Sequence, residues 1–218
     1  MNYKILFIDE EKGQREEFEN YMDRFEDKAE AICIYPSNSL EKTIEEINDH
    51  HPDAIISDYK LNEIKENIKY NVPFNGSELM DAYLNEWPGF PCFVLTSFDD
   101  LAVNNSADVN IIYVKKNVFN EPEDVKVPFA ERIFHQIEHY RKRIADAQAE
   151  INKLIGKRRS GEASAAEEQK LIDLDTFIEH SLGKSTSVPK NMKELSNTSR
   201  LNDLINKVDE LLSKVEDK

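Results

Sequence analysis

Lys4-Ile5-Leu6-Phe7-Ile8-Asp9-Glu10-Glu11 is an unbroken apolar run that stops abruptly against three acids. A strand with one wet face alternates apolar and polar residues, whereas a run without interruption fits a strand covered on both faces, as in a parallel sheet. The same pattern recurs along the front of the chain. Ala29 to Tyr35 is bounded by charge and Pro36, Ala54-Ile55-Ile56-Ser57 follows Pro52-Asp53 and ends at Asp58, Phe90 to Leu95 ends at Thr96-Ser97, and Asn110 to Val114 ends at Lys115-Lys116. Helical stripes separate these runs: Phe18, Tyr21, Met22 and Phe25, then Leu40, Thr43, Ile44 and Ile47, then Leu79, Met80, Tyr83 and Leu84. Five apolar strands alternating with helices predict an α/β fold over residues 1–127, a doubly wound five-stranded parallel sheet with right-handed crossovers.

In an open parallel sheet, ligands bind beyond the carboxyl ends of the strands. The residues at those ends are Asp9 and Glu10, Asp58, Thr96, and Lys115 or Lys116. Three carboxylates, a hydroxyl and an ammonium therefore converge on one edge. Carboxylates this close repel one another, and a hard divalent cation with oxygen ligands, Mg²⁺ above all, relieves the repulsion. Such an ion neutralises an arriving phosphoryl group, the Lys and Thr supply donors to its oxygens, and a carboxylate is a competent nucleophile for an acyl phosphate. Taken singly, each residue has a plainer reading: Asp9 and Glu10 as helix N-terminal acids, Thr96 as an N-cap, the lysines as strand-end charges. The combination favours the chemical reading.

Five stretches, in order and each at its strand end, resemble the receiver domain of two-component response regulators. They are Ile5-Leu6-Phe7-Ile8-Asp9-Glu10-Glu11, Pro52-Asp53-Ala54-Ile55-Ile56-Ser57-Asp58, Asn75-Gly76-Ser77-Glu78-Leu79, Val94-Leu95-Thr96-Ser97 and Tyr113-Val114-Lys115-Lys116. The resemblance covers residues 1 to about 140 and implies a flavodoxin-like receiver fold. It implies that Asp58 is the phosphoacceptor, that Asp9, Glu10, Asp58 and the backbone carbonyl of Lys60 hold Mg²⁺, and that Thr96 follows the phosphoryl group. It implies Lys115, or Lys116 beside it, as the pairing lysine, with Tyr113 the candidate aromatic switch. A histidine kinase or phosphotransfer protein is the implied partner, and a phosphoacceptor without a separate catalytic output domain, not an enzyme, is the implied activity. A receiver-like scaffold that is never phosphorylated, or a phosphate sink for a kinase, is the alternative. The chain departs from the family in its second lysine where a Pro is usual, in a longer, polar connection over residues 59–75, and in a short stretch between Thr96 and Lys115. Strand-to-helix connections usually take about 2 to 6 residues, so residues 59–75 read as a lid, a partner site or a spacer.

Beyond Pro128 no strand-like run appears, and the region reads as all-α and partly coiled-coil-like. Ile133, Ile137, Tyr140, Ile144, Ala147, Ile151 and Leu154 recur at alternating spacings of four and three, a heptad seam that serves either an intramolecular core or an oligomer interface. Gly156 to Gly161 reads as a turn, and Ser164-Ala165-Ala166-Glu167 as a capping box before Leu171, Ile172, Leu174, Phe177, Ile178 and Leu182. Residues 128–183 are thus a long helix and hairpin. Residues 184–218 are a Ser/Thr/Pro linker and an amphipathic helix with Leu201, Leu204, Val208, Leu211 and Val215 on one seam. These helices are candidates for a homodimer contact or for binding a protein effector.

Charge sharpens the exclusions. The net charge is -15, and residues 1–127 carry all of it, with 12 basic against 27 acidic residues, while 128–218 balance at 16 each. An acidic front is repelled by phosphate backbones and anionic lipid, so neither nucleic acid nor membrane is an expected partner. Cys33 and Cys92 lie inside apolar runs and form no zinc spacing, and His135 and His139 lack a third ligand. No run approaches a membrane span and no signal segment opens the sequence, which reads as cytoplasmic.

Overall fold

The structure, a computed structural model, describes residues 2–62, 69–97, 109–122 and 125–182. Two compact units divide the chain, 1–141 and 142–218. In the first, strands β1 (Tyr3–Ile8), β2 (Ala29–Ile34), β3 (Ala54–Asp58), β4 (Cys92–Thr96) and β5 (Ile112–Val114) pair in parallel in the order β2-β1-β3-β4-β5. This is the flavodoxin-like, doubly wound parallel fold expected from the sequence.

Alternation along the central strands divides the core into two layers. Ile5, Phe7, Ala54, Ile56, Phe93 and Leu95 face one side, and helix α1 (Lys12–Met22) covers them with Phe18, Tyr21 and Met22. The first turns of the long helix α5 (Phe129–Ser160) complete that layer with Phe129, Ile133, Phe134 and Ile137. Leu6, Ile8, Ile55 and Val94 face the other side under α2 (Leu40–His50), which contributes Ile47, and α3 (Gly76–Glu86), which contributes Leu79, Met80 and Tyr83.

The connection over residues 59–75 departs from its polar appearance. Tyr59, Leu61, Val72 and Phe74 are buried in the second layer, so both ends of the connection belong to the core. Asn62 and Asn71 join side chains at 2.9 Å, Val72 N donates to Asn62 Oδ1 at 3.1 Å, and Gly76 N donates to Tyr59 O at 2.8 Å. The two asparagines bond to each other while the apolar residues that flank them turn inward.

A reciprocal capping box opens α3: Glu78 N donates to Asn75 Oδ1 and Asn75 N to Glu78 Oε2. Asn75→Ala is therefore expected to cost about 1 kcal/mol in urea-unfolding stability, the usual loss for an N-cap.

After β5 the chain forms a short helix α4 (Lys115–Phe119) and then fastens the start of α5 with side chains. Glu121 Oε1 accepts from Phe129 N at 2.6 Å, and the Tyr21 hydroxyl accepts from Ala130 N at 2.9 Å while donating to Glu121 Oε2 at 3.0 Å. These amides belong to the first turn, which has no intrahelical acceptors.

In the second unit the predicted turn at 156–161 is corrected. Helix α5 continues through Gly156 to Ser160, and only Gly161, at φ 76°, leaves it. A single helical glycine costs roughly 1 kcal/mol. Cross-hairpin pairs Lys157–Glu167 and Arg158–Glu168 hold that last turn against helix α6 (Ala165–Leu182). The Ser164/Glu167 capping box begins α6 as read. Members of the heptad seam pack within the chain: Ile133 and Ile137 on the sheet, and Ala147, Ile151 and Leu154 on Leu171 and Ile178. Two strand bounds also shift. The fourth strand begins at Cys92, after a turn closed by Phe90 N to Trp87 O, and β5 is shortened by a 3₁₀ turn at Val109–Ile111. Gly183, the linker 184–191 and the seam 201–215 lie outside the described residues, as does most of the stretch between Thr96 and Lys115. Among the described residues no helix is long and apolar enough to cross a membrane.

Candidate functional site

Register places the acids. Ile8 pairs with Ser57 and Asp58 with Leu95, so the chain leaves β1 at Asp9 beside the end of β3, and β4 ends at Thr96 next to both. Carboxylate oxygens of Asp9, Glu10 and Asp58 lie within 4.8 Å of one another, and all three residues are buried. They wall a cavity of about 100 Å³ that is also lined by Gln14, Lys60, Thr96 and Lys115.

Lys115 enters this cavity and Lys116 does not. Lys115 Nζ lies 2.8 Å from Asp58 Oδ1 and 3.0 Å from Asp9 Oδ2, while Lys116 is exposed on α4. The other oxygen of Asp58 accepts from Lys60 N at 3.0 Å, and Asp9 Oδ1 accepts from Glu11 N at 2.8 Å. Tyr113 lies elsewhere, half-buried against Phe129 at 4.8 Å and Phe93 at 5.9 Å between ring centroids. His135 and His139 are exposed on α5.

Two contributors were not singled out from the sequence. Arg15 is buried, donates through Nη1 to Asp9 O at 2.7 Å, and stacks its guanidinium 3.6 Å from the centre of the Tyr35 ring. It fixes the backbone at the acidic pair. Its signal is legible in retrospect, because Arg15, Phe18 and Met22 share one helical face and a charge on a buried face calls for a partner. Gly76 is the second. A Cβ there would lie 2.1 Å from Asp58 O and 2.8 Å from Ser57 Oγ, so α3 approaches the end of β3 at backbone distance.

Among the described residues three buried carboxylates share this end of the sheet, and Lys115 pairs with two of them. Burial, then the charges of Asp9 and Glu10, push the Asp58 carboxyl up to about 7 against the pull of Lys115. Asp9 is also raised, chiefly by burial. Burial disfavours the ammonium of Lys115, but Asp58 and Asp9 together hold its pKa above the usual lysine value. A site with surplus negative charge and oxygen donors suits a hard divalent cation.

The sign of the pH dependence is fixed by these shifts. Folded Asp58 binds its proton more tightly than an unfolded aspartate of pKa about 3.9, so its stabilising contribution is complete below that value and is lost as pH rises through about 7. In chelator, the urea-unfolding free energy should fall between about pH 4 and pH 7, and Asp58→Asn should flatten that slope. Millimolar Mg²⁺ should restore stability most at the alkaline end. An unchanged slope in Asp58→Asn places the titration elsewhere.

Neither a protein-family model nor a curated protein sequence matches the chain. Solved structures do resemble it. The anti-anti-sigma factor PhyR from Bartonella quintana is 12% identical, with 68% of this chain and 52% of that chain covered and a TM-score of 0.45. The non-phosphorylated receiver domain of the stress response regulator RcsB from Escherichia coli is 15% identical over 55% of this chain and 86% of that one, with a TM-score of 0.42. The receiver domain of nitrogen regulatory protein C is 18% identical over 64% and 97%, with a TM-score of 0.41. The chain thus spans about half the length of PhyR.

Proposed function

We propose that residues 1–141 act as the phosphoryl-accepting receiver of a two-component response regulator, with Asp58 as the acceptor. The observation that carries this reading is the Asp58 carboxylate itself. It is buried, with one oxygen held by Lys115 and the other by the Lys60 amide, in a cavity walled by two more acids and Thr96.

In this reading an Asp58 oxygen attacks the phosphorus of a phosphohistidine on a kinase or phosphotransfer protein. The P–O bond forms as the P–N bond breaks, and the electron pair leaves with the donor's imidazole nitrogen. Lys115 then pairs with the transferred oxygens in place of the carboxylate now held as an acyl phosphate, and the Thr96 hydroxyl at the end of β4 offers a second donor. Asp9, Glu10, Asp58 and the Lys60 carbonyl would hold Mg²⁺, which when bound neutralises charge on the phosphoryl oxygens. The acidic face disfavours nucleic acid, so the output is a protein contact, and the chain works in the cytoplasm without acting as an enzyme on a released substrate.

The test is incubation of the full chain with acetyl phosphate and Mg²⁺, read by intact mass and Phos-tag mobility. One phosphoryl group should be gained by the wild type and none by Asp58→Ala. Folded wild type that gains none overturns the reading and leaves a scaffold that binds partners unphosphorylated.

A further inference from the structure

The ladder between β1 and β2 stops for want of a donor, at the residue that opens the acidic site. Ile8 pairs with Ile34 at the last register position, and Asp9 N donates to Ile34 O at 3.3 Å. In a parallel ladder the next bond along this edge would run from the amide of residue 36 to the carbonyl of Asp9. Residue 36 is proline, which has no N–H. Asp9 is buried, so its carbonyl takes a donor from elsewhere.

Arg15 is that donor. Its Nη1 reaches Asp9 O at 2.7 Å, and its guanidinium lies 3.6 Å from the centre of the ring of Tyr35, the residue just before the proline. The arginine is only 7% exposed. The rest of Asp9 is held too: Oδ1 accepts from Glu11 N, and Oδ2 pairs with Lys115. The bond to the carbonyl ties this clamped acid to the edge of β2 beyond the point where the ladder ends.

We propose that Arg15 and Tyr35 are positioning residues for the divalent cation. The ring holds the guanidinium, the guanidinium holds the Asp9 carbonyl, and the Asp9 and Glu10 carboxylates are thereby kept within reach of Asp58. Neither residue is a ligand. Outer groups that orient metal ligands are worth about 10- to 100-fold in affinity. This role rests on the reading of Asp9, Glu10 and Asp58 as a cation site. Its sign is distinctive: a guanidinium acting only as a nearby charge repels Mg²⁺, so its removal would tighten binding, whereas removal of a positioning group loosens it.

Mg²⁺ titrations of the full chain by isothermal calorimetry, at fixed pH and ionic strength, test it alongside melting curves in chelator. Arg15→Met should weaken Mg²⁺ binding about tenfold. Tyr35 is 37% exposed, so Tyr35→Leu keeps the fold and should weaken binding about threefold, while Tyr35→Phe, which retains the ring face, should rescue it. Should Arg15→Met fail to fold, the Tyr35 pair decides alone. Folded Arg15→Met or Tyr35→Leu that binds Mg²⁺ as tightly as the wild type, or more tightly, overturns the proposal and leaves the acidic site standing; a lowered melting temperature by itself then marks the pair as purely structural. Tyr35→Phe as weak as Tyr35→Leu also overturns it. Asp9→Asn should abolish binding, and binding that persists there, or that is undetectable in the wild type, sinks the cation site and this pair with it.

Discussion

Lys115→Ala is expected to destabilise the metal-free protein by about 3 to 5 kcal/mol at pH 8, the loss that follows when one partner of a buried ion pair is removed. The side chain is 11% exposed and is shared between Asp58 and Asp9, so its removal takes the ion-pair partner from both of these buried carboxylates. The penalty should shrink sharply near pH 5.5, because Asp58 already ionises only at about 7 and loses its charge more readily still once the lysine is gone. Lys116→Ala, on the exposed side of α4, should stay within about 0.5 kcal/mol at both pH values. Urea unfolding of the three proteins at the two pH values decides the matter. Equal losses for the two lysine variants, or a Lys115→Ala penalty that ignores pH, would sink the ion-pair account. Phosphorylation by acetyl phosphate should slow about a hundredfold in Lys115→Ala, the typical effect of deleting one donor to a developing oxyanion.

Gly76→Ala should cost about 3 kcal/mol, which reverses the sign expected from helix propensity alone. An alanine inside a helix normally gains about 0.5 to 1 kcal/mol over glycine. Here the new methyl would lie 2.1 Å from one backbone atom and 2.9 Å from another, Asp58 O and C, and neither can swing aside as a side chain could. Either α3 or the end of β3 must shift, and Asp58 shifts with it. Gly156→Ala supplies the contrast, since nothing lies within 4 Å of its Cβ position and it should be neutral or stabilising. Paired denaturation curves, with phosphoryl uptake measured on the folded fraction, check both.

How much was readable in advance depended on which physical signal each residue leaves. Buried parallel strands leave continuous apolar runs, so β1, β3 and β4 and the acids at their ends were legible, and with them the convergence of Asp9, Glu10 and Asp58. The choice between Lys115 and Lys116 was not, because it depends on where the backbone passes from β5 into α4, and neighbouring lysines present the same pattern either way. The 59–75 connection looked polar since its buried residues, Tyr59, Leu61, Val72 and Phe74, follow no single period; their burial depends on the Asn62 and Asn71 bonds that fold the connection back. Gly156 looked like a stop, but ion pairs to the next helix outweigh one glycine. Local propensity was overruled in each case by contacts made at a distance in sequence.

The fastening of α5 has a mechanical consequence. Glu121, which grips the first amides of that helix together with Tyr21, stands six positions after the ammonium that spans Asp9 and Asp58. One short turn of backbone joins them, with little slack to absorb displacement. A displacement of that ammonium therefore has only six residues to cross before it reaches the side chain that holds the first turn of α5.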